Sequence, residues 1–466
     1  MKTTVALPML VAGSVMLSGC FDGSSSTPRT DIRVVHAVSD APAVNVSFNG
    51  ETLIAGADFK QAATLRPRRG NYSVDVDALL PTGDELTVIE VGSTRFDSDT
   101  RYDIIATGTV ADGINPLVLT DDGQRENPAS ARLRVAHLSP VAQAAASEVS
   151  VYVTADGVAL PDEPNFSFAF GEAVGPLELE AGTYQIRVTP QGSSTVVYDS
   201  GPVDLPASSD LLIAAIDNTV FGESPVSLLV INGSQASEIL DKDTGAGIRA
   251  VHNSSDAPNV DIYLNKDPDG TPDAGNVAYT ETVPGVATTG SYLERLVGDT
   301  RVAITPASAT TPIAIDATLP LANGDLLTVL AAGALADGLD AFVFNDDNRR
   351  IATEAKLRVI HGAVEAQLVD VFLVPAADAS ANQGNATPAL DDFEYGDSSG
   401  YLGVPAGDYV VFITSADGAT LLFRSGTVTL ANGGVYTAVA RAATGVGDET
   451  DSVARLTLLD DFVQLP

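Results

Sequence analysis

The chain has no tryptophan, one cysteine and four histidines in 466 residues, and 25 Lys and Arg against 61 Asp and Glu. Each scarcity excludes something. One thiol cannot close an internal disulfide, so stability has to come from packed cores. A formal net charge of −36 repels phosphate and excludes DNA and RNA as partners. With no tryptophan, and with tyrosine and phenylalanine spread along the chain, an aromatic platform for sugars has little to be built from. No long stretch beyond the N-terminal leader keeps a 3.6-residue hydrophobic period, so long helices are not expected. Neither a phosphate-binding glycine loop nor a cysteine pair is present. The acidity itself reads first as a solubility device, including in salty surroundings, and second as a collector of divalent cations.

The single cysteine is informative. Lys2 begins a leader whose apolar stretch, Val5 to Leu17, is short for crossing a bilayer. It ends at Leu17-Ser18-Gly19-Cys20, which resembles the bacterial lipobox. That resemblance implies cleavage before Cys20, acylation of its thiol, and a firm membrane anchor. Phe21, rather than aspartate, follows the cysteine, which in similar Gram-negative lipoproteins favours the outer membrane. Residues 1–19 are thus expected to be a signal peptide and 20–31 a flexible tether.

The four histidines recur in one phrase. It reads Ile32-Arg33-Val34-Val35-His36, Leu133-Arg134-Val135-Ala136-His137, Ile248-Arg249-Ala250-Val251-His252 and Leu357-Arg358-Val359-Ile360-His361. The chain is one module written four times, at roughly 100–115 residues each. Alternation puts Ile32, Val34 and His36 on one strand face and Arg33 and Val35 on the other. A turn and a second alternating strand follow, such as Ser39-Asp40-Ala41-Pro42 and then Val44, Val46 and Phe48. A later Gly-x-Tyr opens another strand at Gly70, Gly182 and Gly407; the third module has Thr300 where the tyrosine would stand. Each module closes on a hairpin, and two of the turns carry Ala-Asp-Gly.

About seven short strands per module predict an all-β chain of four tandem antiparallel β-sandwiches of immunoglobulin-like size. The expected repeats are 32–123, 132–235, 247–348 and 356–464, with short linkers near 120–131, 236–247 and 346–356. Neighbours should therefore touch and the array should be semi-rigid. The phrase Arg-Val-x-His-x-Ser-x-Asp-Ala-Pro-x-Val-Asp-Val followed by Gly-x-Tyr is similar to the repeats of domain-of-unknown-function family 4397. It matches best at 32–49 and 248–265. The second module departs by an insertion and lacks Asp-Ala-Pro, and the fourth has Val364-Glu365-Ala366-Gln367 there. The resemblance implies an envelope or secreted β-domain and transfers no catalytic residue.

The candidate sites are few. His36, His137, His252 and His361 read as neutral core-face imidazoles bonded to the following turn in preference to metal ligands, since one histidine per module cannot build a site alone. Arg33, Arg134, Arg249 and Arg358 read as partly exposed ion-pair partners of the turn acids (Asp40, Asp256, Glu365) or of a neighbouring strand. Asn265, Asp267, Asp269 and Asp273 resemble the start of a calcium loop, but Asn276 stands where glutamate belongs, so a plain acidic hairpin is the first reading and calcium the second. Gly396-Asp397-Ser398-Ser399-Gly400 matches a nucleophile elbow by letter. It lacks the following helix, and the aligned position of module 2 is Ala173, so the match is accidental.

The expected protein is a non-enzymatic, lipid-anchored outer-membrane binding, adhesive or spacer protein, facing the periplasm or the cell surface. It needs no cofactor and has an envelope or extracellular ligand. The alternatives are a hydrolase of envelope polymers, which a non-repeated acid cluster in an inter-module cleft would favour, and a calcium-dependent adhesion protein.

Overall fold

The computed structural model describes residues 28–379, 386–443 and 454–463. The leader, Cys20 and most of the tether lie outside the described residues. Four β-sandwich modules are built from eight sheets. Their strands span 31–121, 131–239, 246–345 and 355–460.

Module 1 sets the pattern. Its strands are β1 (Asp31–His36), β2 (Val44–Phe48), β3 (Glu51–Ala57), β4 (Ala62–Leu65), β5 (Gly70–Leu79), β6 (Glu85–Phe96), β7 (Arg101–Thr109) and β8 (Gly113–Asp121). One sheet runs β4-β1-β7-β8 and the other β3-β2-β5-β6. The count is eight rather than about seven. The pairing is antiparallel except between β1 and β7, which run parallel from Asp31 opposite Arg101 to His36 opposite Ala106. The same parallel pair recurs in the other three modules. An alanine lies opposite the histidine every time: Ala106, Ala215, Ala331 and Ala440.

Module 2 departs where the sequence does. Its insertion folds as a short helix, Pro140–Ala145, capped by the Ser139 side chain on the Ala142 N–H. The expected linker 236–247 opens with a further strand, Gln235–Ile239, which pairs with the counterpart of β8 and gives a five-stranded sheet.

The recurring Gly-x-Tyr has a physical cause. The hydroxyls of Tyr72, Tyr184 and Tyr409 donate to the carbonyls four residues back, of Arg68, Glu180 and Pro405, at 2.8–2.9 Å. This is the arrangement of a tyrosine corner. Each ring passes over its preceding glycine, where an added Cβ would stand 3.4 Å from Tyr72, 3.7 Å from Tyr184 and 3.5 Å from Tyr409.

The modules do not stand apart as beads. The outer face of the β1–β7 sheet carries an apolar patch in every module, and two such faces meet. Val35, Ala37, Phe59 and Ile105 of module 1 form one buried cluster with Ala136, Leu138, Leu212, Ala214, Ile216, Leu229 and Ile231 of module 2. Val251, Ala287, Leu330 and Ala332 of module 3 do the same with Ile360, Val439 and Leu459 of module 4. Modules therefore pair, 1 with 2 and 3 with 4. Between the pairs, Arg349 of the last linker donates to the Ser39 carbonyl at 2.8 Å, bonds Asp58 at 2.7 Å and covers the Phe59 ring.

Candidate functional site

The histidines sit on the core face, and three of them staple the turn. His36 Nε2 lies 3.1 Å from the Pro42 carbonyl, His252 Nε2 3.2 Å from that of Pro258 and His361 Nε2 2.7 Å from that of Gln367. In each, Nδ1 accepts the backbone N–H two residues on. A ring that donates through Nε2 and accepts through Nδ1 is neutral. The turn acids do other work: Asp40 accepts the Val110 N–H and Asp256 the Leu335 N–H, tying the first turn to the β7–β8 hairpin and its counterpart. In module 2 the helix replaces that turn, and neither nitrogen of His137 has a hydrogen-bond partner among the described residues.

Burial pushes all four imidazoles below their ordinary value of 6.5. The unfolded chain therefore binds more protons than the folded one below that pH. Stability is fully present above about 6.5 and is lost as pH falls towards the folded values, by at most about 1.4 kcal/mol per pH unit per histidine. Urea unfolding at pH 7.5 and 5.5 should show this loss, and His36→Gln should make the slope shallower. A slope equal to that of the unsubstituted chain would contradict the assignment.

The arginines form largely buried layers between paired modules, where partly exposed pairs with the turn acids or with a neighbouring strand were expected; Arg33 does meet its acid, Asp103, on the neighbouring strand. Arg249 and Arg358 are each 1% exposed. Arg249 bonds Asp460 of module 4 at 2.5 Å and Asp346 of its own module at 3.1 Å. Arg358 bonds Asp346 at 2.6 Å and the Thr437 hydroxyl at 3.2 Å. Burial disfavours the Arg249 charge, but Asp346 and Asp460 outweigh it and hold the guanidinium above its ordinary range. Modules 1 and 2 repeat the design, with Arg33 on Asp103 at 2.7 Å and Arg134 bridging Asp103 and Asp121. The sequence carried a signal for these partners. Asp-Asp recurs at 121–122, 346–347 and 460–461, where the last strand of a module ends.

The acidic loop of module 3 is closed by its own cations. Asp267 bonds Arg301 at 2.6 Å, and Asp273 lies 3.4 Å from the Lys266 ammonium while accepting the Leu264 N–H. Asn265 accepts the Arg301 N–H and Asp269 that of Thr271. The four side chains thus face partners of the chain itself. Among the described residues, one acidic trio is close enough to share an ion, Asp370, Asp391 and Asp392, and there Asp370 accepts the Asp392 N–H at 3.0 Å. Ser398 begins a strand that pairs with the His361 strand, so no nucleophile elbow forms.

Two voids remain. A cleft of about 980 Å³ lies between modules 2 and 3. It is lined by the 218–225 loop, the 241–245 linker, Asp199, Tyr292 and Glu294. The Phe221 N–H donates to the Gly324 carbonyl at 3.1 Å, and its ring lies against Gly247, so the loop is fixed to module 3. The Tyr292 hydroxyl reaches Asp346 at 2.6 Å, joining the cleft to the buried arginine layer. Sequence reasoning missed this cleft because its residues belong to connections outside the repeated phrases.

The second void, about 100 Å³, lies inside module 1, against about 30 Å³ in modules 2 and 3. At ~24 cal/mol per Å³ the larger void costs about 2 kcal/mol more than either smaller one. Its walls are apolar, including Val34, Val46, Val76, Ile89, Ile104 and Pro116.

Fold and sites together define a tandem-repeat β-sandwich protein whose modules pair through buried arginine–aspartate layers. The chain belongs to the family described as Domain of unknown function (DUF4397), whose model matches residues 30–152, 246–372 and 373–466. The unmatched stretch is most of module 2, the module with the inserted helix. No curated protein matches the chain. Among solved structures it is similar to a streptococcal family 41 carbohydrate-binding module described for alpha-glucan recognition. Identity is 13% over 42% of this chain and 93% of that one, with a TM-score of 0.14.

Proposed function

We propose that the protein is a lipid-anchored outer-membrane component that acts by binding, with the cleft between modules 2 and 3 as its ligand site. The observation that carries this reading is the cleft itself, which falls in the size range of ligand sites and lies between domains, where such sites concentrate. Asp199, Glu223, Asp241, Asp243 and Glu294 line it against one Lys242. That excess of carboxylates suits a hydroxyl-rich neutral or cationic polymer and repels an anionic one. The lipobox at Cys20 supports the anchor. Face-to-face pairing shortens the array, so binding is a better use of these modules than spacing.

The gathering of non-repeated acids in one inter-module cleft also favours the hydrolase reading. Against it, Asp199 accepts from the Gln185 amide and the Gly201 N–H, while Asp241 accepts the N–H groups of Asp199 and Asp243. Those carboxylates cap loops. The test is a binding screen of glycans and envelope polymers with the chain from residue 21, with and without calcium. Glu223→Ala with Glu294→Ala should weaken the best ligand about tenfold, or about 1.4 kcal/mol. Unchanged affinity would remove the cleft as the site, and release of shorter polymer would favour the hydrolase.

A further inference from the structure

We propose that module 1 is a second, separate receptor, whose hollow sandwich takes the hydrocarbon tail of an uncharged amphiphile. The size of the void is not a property of the fold, because modules 2 and 3 keep only about 30 Å³ there. Strand registers place four residues around the same point of each core. In module 1 they are Val46, Val76, Ile89 and Pro116. In module 2 they are Val151, Val188, Tyr198 and Leu228, and in module 4 Val371, Ile413, Phe423 and Leu456. Module 3 also has small residues at the last two positions, Ile315 and Ala341, but offsets them with Ile262 and Ile304. Summed over the four positions, module 1 carries the least side-chain volume, although Ala341 of module 3 is smaller than Pro116.

The void also reaches the surface. Val118, which lines it, is 50% exposed. Tyr102, Ile104 and Ala106 on the inner face of β7 are only partly buried, while Leu211, Ile213 and Ala215 at the same positions of module 2 are buried. The polar groups nearby are already engaged: both nitrogens of His36 hold the turn, and the Tyr102 hydroxyl accepts the Asp97 N–H. Thr94 donates to the Gly92 carbonyl, and Gln61, which accepts the Asp58 N–H, is exposed at the rim, so a ligand must leave its head at the rim or in water and insert an apolar end. An apolar cavity of about 150 Å³ holds benzene, so about 100 Å³ holds roughly four carbons of a chain. The net charge of −36 repels an anionic head.

The chain from residue 21 is suitable for the test, because every contact described above lies within residues 28–463. The probe is 1-octanol labelled with ¹³C at its terminal methyl, with octanoate and benzene alongside. Contacts between the probe methyl and the methyls of Val46 and Val76, detected by nuclear Overhauser effects, are expected. Val76→Ile with Ile89→Phe, which installs the residues of module 4, should weaken octanol binding at least about tenfold with the thermal transition kept or raised. Pro116→Leu does the same at a single position if the double variant fails to fold. Absence of these contacts, equal octanol binding by the filled variants, benzene binding without octanol, or octanoate binding as tightly as octanol would each overturn the proposal. Polymer binding at the cleft should not change in the filled variants, which separates this site from that one.

Discussion

Replacing Asp346 by alanine should cost about 3–5 kcal/mol of stability, measured by denaturant unfolding. The carboxylate lies between Arg249 at 3.1 Å and Arg358 at 2.6 Å, and its side chain has no exposure to solvent. It also accepts the hydroxyls of Thr328 and Tyr292. Its removal leaves Arg249 with Asp460 as its remaining carboxylate, Arg358 with the Thr437 hydroxyl and the Asn345 carbonyl, and two hydroxyls without this acceptor. Both charges were taken out of water on folding, and each now lacks part of what replaced it. Asp316→Ala provides the control, because its partner Arg301 is on the surface and such a pair contributes about 0–1 kcal/mol. Equal losses in the two variants would mean that the buried layer contributes no more than an exposed pair.

Leu212→Ala should cost about 2–5 kcal/mol, as expected for a large apolar side chain removed from a packed interior. Leu212 is fully buried, although it lies outside the core of its own sandwich. It packs in the seam where module 2 meets Val35 and Ile105 of module 1. The effect should therefore extend to both modules. Hydrogen exchange should show amides of 31–48 and of 131–155 losing protection together. Loss confined to module 2 would mean that the modules unfold separately and that the seam contributes little.

The parts of this fold that repeat were legible in the sequence. The histidine phrase located the first strand of all four modules, and the alternation of Val44, Val46 and Phe48 located the second. The missing 3.6-residue period and the short alternating runs set the all-β class. The parallel pairing of β1 with β7 was not legible, because alternation reports which face a residue takes and not which strand lies beside it. The arginines were placed on the correct face, but their depth was misjudged. Val35 and Ala37 share the outward face with Arg33, and a face mixing valine with arginine looks half-exposed until a second copy covers it. The partners are distant in sequence: Asp103 meets Arg33 and Asp346 meets Arg249 within one module, while the bonds from Arg134 to Asp103 and Asp121, from Arg358 to Asp346 and from Arg249 to Asp460 form only through the pairing of modules. The two voids were hidden for opposite reasons. The cleft lies in connections that do not repeat, and the hollow of module 1 shows only when four aligned cores are compared for size.

Pairing through a shared seam has a consequence for how such chains grow. A module added or deleted singly would leave one sheet bare, with valine, isoleucine and an unmatched arginine facing water. Copy number should therefore change in twos, and a chain with an odd count should recruit a second molecule to cover the orphaned side.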